Sequence, residues 1–148
     1  YYKQERWGVN NQPIICYKFR TMYINDIQEG FDQTSRHDPR ITPLGNILRK
    51  FSLDELPQLW NILKGEMSLV GPRPIVQAEL ERYGSSSTYY LSVTPGITGL
   101  WQVSGRNDTS YKERVALDAW YAQNWSMWYD IAILFKTVGV VFGRKGAY

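Results

Sequence analysis

Apolar residues recur in this chain at helical spacing, in short segments that glycine, proline and capping residues separate. Leu44, Ile47 and Leu48 follow the i, i+3, i+4 pattern of one helix face, which predicts a helix from about Leu44 to Lys50. Four further helices are predicted, at about residues 52–64, 75–83, 110–124 and 126–142. No apolar run reaches the roughly 18–20 residues that span a bilayer.

Capping residues predict where two of these helices begin. Ser52-Leu53-Asp54-Glu55 and Ser110-Tyr111-Lys112-Glu113 both have the S-x-x-E form of a capping box. Pro57 would then lie in or just after the first turn, where its missing N–H costs least. Gly65 is expected to end that helix.

One segment favours β structure. Residues 14–19 are rich in β-forming side chains and follow a turn at residues 10–13, which predicts a short strand or hairpin. Another short strand is expected among the glycine-rich turns of residues 94–106. We therefore expect an α+β fold, mainly α, with several short amphipathic helices and a small β-hairpin element. The length of 148 residues suits one domain, residues 1–148.

The composition excludes several kinds of site. The chain has one cysteine, Cys16, and one histidine, His37. A single cysteine forms no internal disulfide, and a single histidine disfavours both a zinc enzyme and a Ser-His-Asp hydrolase. The net charge is +3, and its surplus lies within residues 1–53. This distribution indicates an anionic ligand or surface near that third of the chain.

Two adjacent acids, Asp54 and Glu55, allow two interpretations. Acidic residues in a first turn commonly complement the helix dipole and cap free N–H groups. A carboxylate can also be a nucleophile toward phosphorus, and a neighbouring carboxylate can hold Mg²⁺. A helix N-terminus would favour a bound phosphate as well.

Basic residues lie mostly in turns or at the ends of predicted elements, where arginine can bind phosphate oxygens with two donors. They are Lys18, Arg20, Arg36, Arg40, Arg49, Lys50, Arg73 and Arg106. Prolines on both sides of Arg73 fix its backbone. Asp118, in contrast, reads from its spacing as an exposed helix acid that pairs with Arg114 at i−4.

The most apolar part of the chain is the aromatic stretch Trp120–Tyr129 with residues 131–142 after it. Such residues pack in a core by default. Tryptophan and tyrosine also concentrate at membrane interfaces, and this run is suited to the headgroup level. Both interpretations stay open.

The motifs together resemble those of the bacterial sugar transferases, and the resemblance covers nearly the whole chain. In order they are Lys18-Phe19-Arg20-Thr21-Met22, Asp38-Pro39-Arg40-Ile41-Thr42, the stretch LRKFSLDELPQLWN at residues 48–61, Leu69-Val70-Gly71-Pro72-Arg73-Pro74, and PGITGLWQ at residues 95–102 with Gly105-Arg106. The similarity is greatest to the galactose/glucose-1-phosphate branch. It implies the catalytic domain of a monotopic membrane enzyme on the cytoplasmic face of the bacterial inner membrane.

The resemblance also implies a reaction and its residues. Asp54 would attack a UDP-sugar, expel UMP and pass the sugar-1-phosphate to undecaprenyl phosphate, the first membrane step of O-antigen, capsule or exopolysaccharide assembly. Glu55 would bind Mg²⁺. Lys18, Arg20, Arg49, Arg73 and Arg106 would bind phosphates or the nucleotide, and Asp118 would belong to the site. A homodimer is one option for the assembly.

One departure from the family pattern concerns the hydrophobic segment that enters the membrane before the Lys18 motif. Only 17 residues precede Lys18 and many are polar, so this membrane-embedded helix is expected to be absent from the chain. Two other classes of function compete. A non-enzymatic peripheral membrane module would use the basic third and the aromatic stretch. A nucleic-acid binder would need a basic face, and the modest net charge argues against it.

Overall fold

The N-terminal segment forms a β-hairpin in the computed structural model, which describes residues 1–24, 38–105 and 109–143. Strand β1 (Tyr2–Trp7) pairs antiparallel with β2 (Pro13–Lys18), so that Tyr2 lies opposite Lys18. Asn10 and Asn11 adopt positive φ angles of 55° and 57° in the connection. The predicted hairpin is confirmed, and Lys18 lies at its open end.

Helix α1 (Pro43–Lys50) confirms the helix predicted from Leu44. The Thr42 hydroxyl caps it by accepting a hydrogen bond from the Gly45 N–H at 2.8 Å. The capping box predicted at Ser52 is wrong, because Ser52 has a left-handed backbone (φ 55°) and its side chain caps nothing. A cap requires an extended backbone there. Instead a 3₁₀ helix (Leu53–Gln58) contains Asp54, Glu55 and Pro57.

Helix α2 (Leu59–Leu63) continues directly from this 3₁₀ helix, and Gly65 follows its end with φ 77°. Strand β3 (Ser68–Val70) comes next and pairs in parallel with β4 (Gly96–Thr98). The sequence predicted β4 but not β3. Between them lie α3 (Gln77–Tyr83), which confirms the helix predicted there, and α4 (Ser87–Leu91).

Three helices complete the described chain: α5 (Leu100–Val103), α6 (Tyr111–Gln123) and α7 (Met127–Gly143). The capping box at the start of α6 is confirmed, since the Glu113 carboxylate accepts from the Ser110 N–H at 2.8 Å. Within the described ranges, no helix is both long and apolar enough to cross a membrane.

Among the described residues, three small clusters of buried side chains form most of the core, and the fold is α+β and mainly α, as predicted. Their members are Ile14, Cys16 and Met67; Val70, Tyr121 and Ile133; and Ile75, Tyr83 and Tyr90. The first cluster joins the hairpin to the chain after α2, the second joins β3 to α6 and α7, and the third joins α3 to α4. The 3₁₀ helix contacts β2, the second strand of the hairpin.

Candidate active site

Glu55 binds two cations in a partly buried position. Its Oε1 accepts a hydrogen bond from Lys18 Nζ at 2.6 Å and lies 3.0 Å from an Arg73 guanidinium nitrogen. The Glu55 side chain is only 13% exposed. Burial alone would raise the pKa of Glu55, but the charges of Arg73 and Lys18 outweigh it and hold the pKa at about 2. Glu55 is therefore ionised throughout the physiological range.

Asp54 stands in a different environment although it is the adjacent residue. In the described part of the chain its side chain accepts no hydrogen bond and forms no ion pair. Burial and the charge of Glu55 raise the pKa of Asp54, against the charges of Lys18, Arg73 and Arg49. A carboxylate without hydrogen-bond donors keeps its lone pairs available for chemistry.

The backbone couples Asp54 to the hairpin. The Phe19 N–H donates to the Asp54 carbonyl at 2.9 Å. Asn61, fully buried on α2, accepts from the Tyr17 N–H at 3.3 Å and donates to the Ile15 carbonyl at 2.7 Å. These bonds fix the position of Lys18 relative to the two acids.

Arg73 reaches Glu55 from the turn that follows β3. The Gly71 N–H donates to the Thr98 carbonyl at 2.9 Å, and the Gly96 N–H donates to the Pro72 carbonyl at 2.8 Å. A Cβ at Gly71 would lie 2.3 Å from the Thr94 carbonyl oxygen, and one at Gly96 would lie 2.2 Å from the Gly71 nitrogen. Only glycine allows this approach, which holds the turn and directs Arg73 to the acids.

Arg49 lies within electrostatic range of Asp54, whereas Arg20 lies at the surface against the Tyr2 ring. The Arg49 side chain donates to the Thr21 hydroxyl at 2.9 Å. Burial lowers the pKa of Arg49, and the charge of Asp54 raises it. Arg20 is exposed, with its guanidinium 5.7 Å from the centre of the Tyr2 ring. Among the predicted site residues, Lys18, Arg49 and Arg73 thus surround the two acids.

Asp118 is not the exposed acid that its spacing suggested. It is 1% exposed, and its Oδ2 accepts from the Tyr83 hydroxyl at 2.8 Å. Its Oδ1 has no hydrogen-bond partner. Burial raises the pKa of Asp118 to about 7, against the Tyr83 hydrogen bond and the charge of Arg114. Two of the basic residues considered from the sequence, Arg36 and Arg106, lie outside the described residues.

Arg6 lies beside the two acids, a position that the sequence did not indicate. It lines a small cavity together with Lys18, Glu55 and Arg73. Its guanidinium donates to the Pro74 carbonyl at 3.3 Å and lies 3.6 Å from a Glu79 carboxylate oxygen. The sequence gives little sign of this position, because Arg6 lies in a polar strand and meets Pro74 and Glu79 only through long-range contacts.

Asp54 and Glu55 offer the hard oxygen ligands that Mg²⁺ prefers. In the ranges that the structure describes, no group of three or more histidine, cysteine, aspartate or glutamate side chains could hold a metal ion. Mg²⁺ is often bound by one or two carboxylates together with substrate phosphates. The residues present fit a metal held in that way.

Apolar side chains are exposed on two surfaces. The first surface, here called the α7 face, lies along α7 and consists of Trp128, Ile131, Phe135, Val138 and Phe142. The second surface, here called the apolar rim, follows the two acids along the 3₁₀ helix and α2 and consists of Leu53, Leu56, Leu59, Trp60 and Leu63. Trp128 is 79% exposed, whereas Tyr121 is 3% exposed. The aromatic stretch therefore contributes to both the core and the surface.

Comparison with known proteins gives one consistent result. The sequence profile of the bacterial sugar transferase family matches residues 1–144. The chain is 54% identical to the UDP-galactose-lipid carrier transferase of Erwinia amylovora and 53% identical to the undecaprenyl-phosphate galactose phosphotransferase of Salmonella typhimurium. Each match covers 99% of the chain and 34% of the relative. The chain is also 51% identical to the exopolysaccharide production protein ExoY of Sinorhizobium fredii, and this match covers 100% of the chain and 72% of that protein. The chain thus spans about a third of the first two relatives and most of the third.

Proposed function

The chain belongs to the bacterial sugar transferase family, and we propose that residues 1–148 are a catalytic domain that transfers a sugar-1-phosphate from a UDP-sugar to undecaprenyl phosphate. The names of two relatives refer to galactose and to a lipid carrier or undecaprenyl phosphate, and a third refers to exopolysaccharide production. We propose galactose or glucose as the sugar. The contrast between the unpaired Asp54 and the doubly paired Glu55 carries the proposal.

In the proposed first step, an Asp54 oxygen attacks the β-phosphorus of the UDP-sugar. The bond between that phosphorus and the bridging oxygen breaks, and UMP leaves with the electron pair. The sugar phosphate is then an acyl phosphate on Asp54. Lys18, Arg49 and Arg73 supply positive charge where the phosphate gains negative charge, which stabilises the transition state.

In the proposed second step, a phosphate oxygen of undecaprenyl phosphate attacks the phosphorus held on Asp54. The bond from phosphorus to Asp54 breaks, so that a lipid diphosphate-linked sugar leaves and the carboxylate is restored. Arg20 and Arg106 are proposed to bind phosphate or nucleotide and Asp118 to belong to the site, on the resemblance alone.

The family resemblance also implies a divalent metal, and we propose Mg²⁺ with Glu55 as its ligand. A bound Mg²⁺ would neutralise charge on the diphosphate oxygens. The chain itself contributes the carboxylate and the surrounding cations.

The second substrate requires contact with a membrane. Undecaprenyl phosphate stays in the bilayer because exposing each CH₂ to water costs about 0.8 kcal/mol. The α7 face and the apolar rim expose rings and aliphatic chains suited to the headgroup level. We propose that these surfaces meet the cytoplasmic side of the bacterial inner membrane, where UDP-sugars are available.

The test is UMP release from UDP-galactose and UDP-glucose with undecaprenyl phosphate and Mg²⁺. We expect release from the native protein and its loss in Asp54→Asn, since an amide does not attack phosphorus. The exposed Glu81→Gln, on α3, removes the same charge elsewhere and should keep activity. Near-normal turnover by Asp54→Asn contradicts the assignment. Liposome binding without UMP release favours the non-enzymatic membrane module.

A further inference from the structure

We infer that the divalent metal enters this site with the substrate diphosphate and binds the nucleotide-free protein only weakly, because Lys18 and Arg73 already pair with Oε1 of Glu55 and leave the site net positive. The inference rests on the proposed function, since the diphosphate of a UDP-sugar is the ligand that would change this arrangement.

The first support is the geometry at Glu55. Lys18 Nζ and the Arg73 guanidinium both lie at the same oxygen, Oε1, at 2.6 and 3.0 Å. The side chains of Lys18 and Glu55 are 19% and 13% exposed. A metal that binds Oε1 of Glu55 must compete with two charge-assisted contacts, of which the Lys18 pair is the better shielded from water.

The second support is the charge around the two acids. Asp54 and Glu55 carry two negative charges, while Lys18, Arg49 and Arg73 carry three positive charges within electrostatic range of Asp54. Arg6 adds another cation to the cavity wall, paired with Glu79. The nucleotide-free site is thus net positive, which attracts an anion and opposes a divalent cation.

A bound diphosphate reverses this balance. The two phosphate groups of a UDP-sugar carry two negative charges, which turns the site from net positive to net negative. Their oxygens also accept hydrogen bonds from lysine and arginine as carboxylates do. Lys18 and Arg73 can therefore exchange Glu55 for phosphate, which leaves the Glu55 oxygen open to a metal that the phosphates also ligate.

Mn²⁺ and UDP provide a test that does not depend on turnover. Free Mn²⁺ is measured by electron paramagnetic resonance with the purified protein, with and without UDP, and corrected for the Mn²⁺–UDP complex in solution. We expect UDP binding without metal and Mn²⁺ binding at least tenfold tighter with UDP, within the 5–150-fold range usual for coupled sites. Reciprocally, Mn²⁺ should tighten UDP binding by the same factor.

The variants give the sharper test. Lys18→Met removes one cation from Glu55, so the nucleotide-free protein should bind Mn²⁺ about fivefold tighter than wild type. Arg73→Gln should also tighten Mn²⁺ binding by the nucleotide-free protein. Two variants are used so that the test still stands if one of them does not fold. Lys64→Met is the matched control, because Lys64 pairs with Glu66 at 2.7 Å outside this site, and should change nothing.

The outcomes separate the inference from the proposed function. Equal Mn²⁺ affinity with and without UDP, while UDP binds, overturns the inference alone. Folded Lys18→Met and Arg73→Gln proteins that bind Mn²⁺ no tighter than wild type also overturn it. Failure to bind UDP under any metal condition overturns both the proposed function and the inference.

Discussion

The substitution Asp118→Asn tests the most unusual buried group of the described chain. Burial raises the pKa of Asp118 from an ordinary value of 3.8 to about 7. The native carboxyl therefore binds a proton more tightly than the unfolded one. Between these two pKa values the native state holds more protons, so the free energy of unfolding falls as the pH rises through that window.

The size of the effect follows from the same two pKa values. At about 1.36 kcal/mol per pKa unit, and relative to a pH well below 3.8, the shift lowers the free energy of unfolding by about 2 kcal/mol at pH 5, where the native carboxyl is protonated, and by about 4 kcal/mol at pH 8, where it is ionised. An asparagine carbonyl accepts the Tyr83 hydrogen bond without carrying charge. The free energy of unfolding of Asp118→Asn, measured relative to that of the native protein, should therefore be about 2 kcal/mol higher at pH 8 than at pH 5.

Urea unfolding at several pH values measures this difference, and the comparison cancels any cost of the substitution that does not depend on pH. Parallel stability curves for the two proteins would refute the reasoning. If Asp118 also belongs to the site, Asp118→Asn should lose UMP release while gaining stability, the trade-off expected of a functional group. A gain in stability with full activity would assign Asp118 to the fold alone.

Three further predictions concern the site and the surface. Activity should fall as the pH decreases through a value above 3.8, because Asp54, the proposed nucleophile, must be ionised and its pKa is raised. Arg49→Met should move this limb of the pH–rate profile to higher pH, because the Arg49 charge lowers the pKa of Asp54. Asn61→Leu should cost about 2 kcal/mol in urea unfolding, because it removes the hydrogen bonds of the buried Asn61 side chain to the Tyr17 N–H and the Ile15 carbonyl of β2. Trp128→Ser should weaken binding to anionic liposomes with little change in unfolding free energy, whereas Trp101→Ser, at a ring 8% exposed, should destabilise the fold.

Local sequence signals predicted much of the fold. The hairpin, α1, α3, α6 and α7 follow from β-forming residues, helical spacing and the capping box at Ser110. The capping box predicted at Ser52 failed because the S-x-x-E pattern does not report the backbone conformation of the serine, which is left-handed here. Strand β3 has only three residues, too few for an alternating pattern.

Less of the candidate site could be predicted from the sequence, because its geometry depends on contacts between residues far apart in the chain. The pairing of Lys18 with Glu55 joins residues 37 positions apart, and only the motifs of a family suggested their association. Arg6 and Asn61 were missed because their partners lie on distant elements. Asp118 was misjudged because spacing along one helix does not reveal which face is covered, and α4 and the turn after α3 both contact α6.

The region around Asp54 reverses the usual distribution of polar and apolar groups. Glu55 and Lys18 are largely withdrawn from water, while Leu63 and Trp60 of the neighbouring α2 are 79% and 59% exposed. Exposing apolar surface to water costs about 25 cal/mol per Å². Burying charges costs several kcal/mol more unless they are paired as they are here. Both costs fall if the apolar rim meets a lipid surface and the charged cluster receives phosphate groups. The proposed reaction, which joins one water-dissolved and one lipid-bound phosphate substrate, would account for both features together.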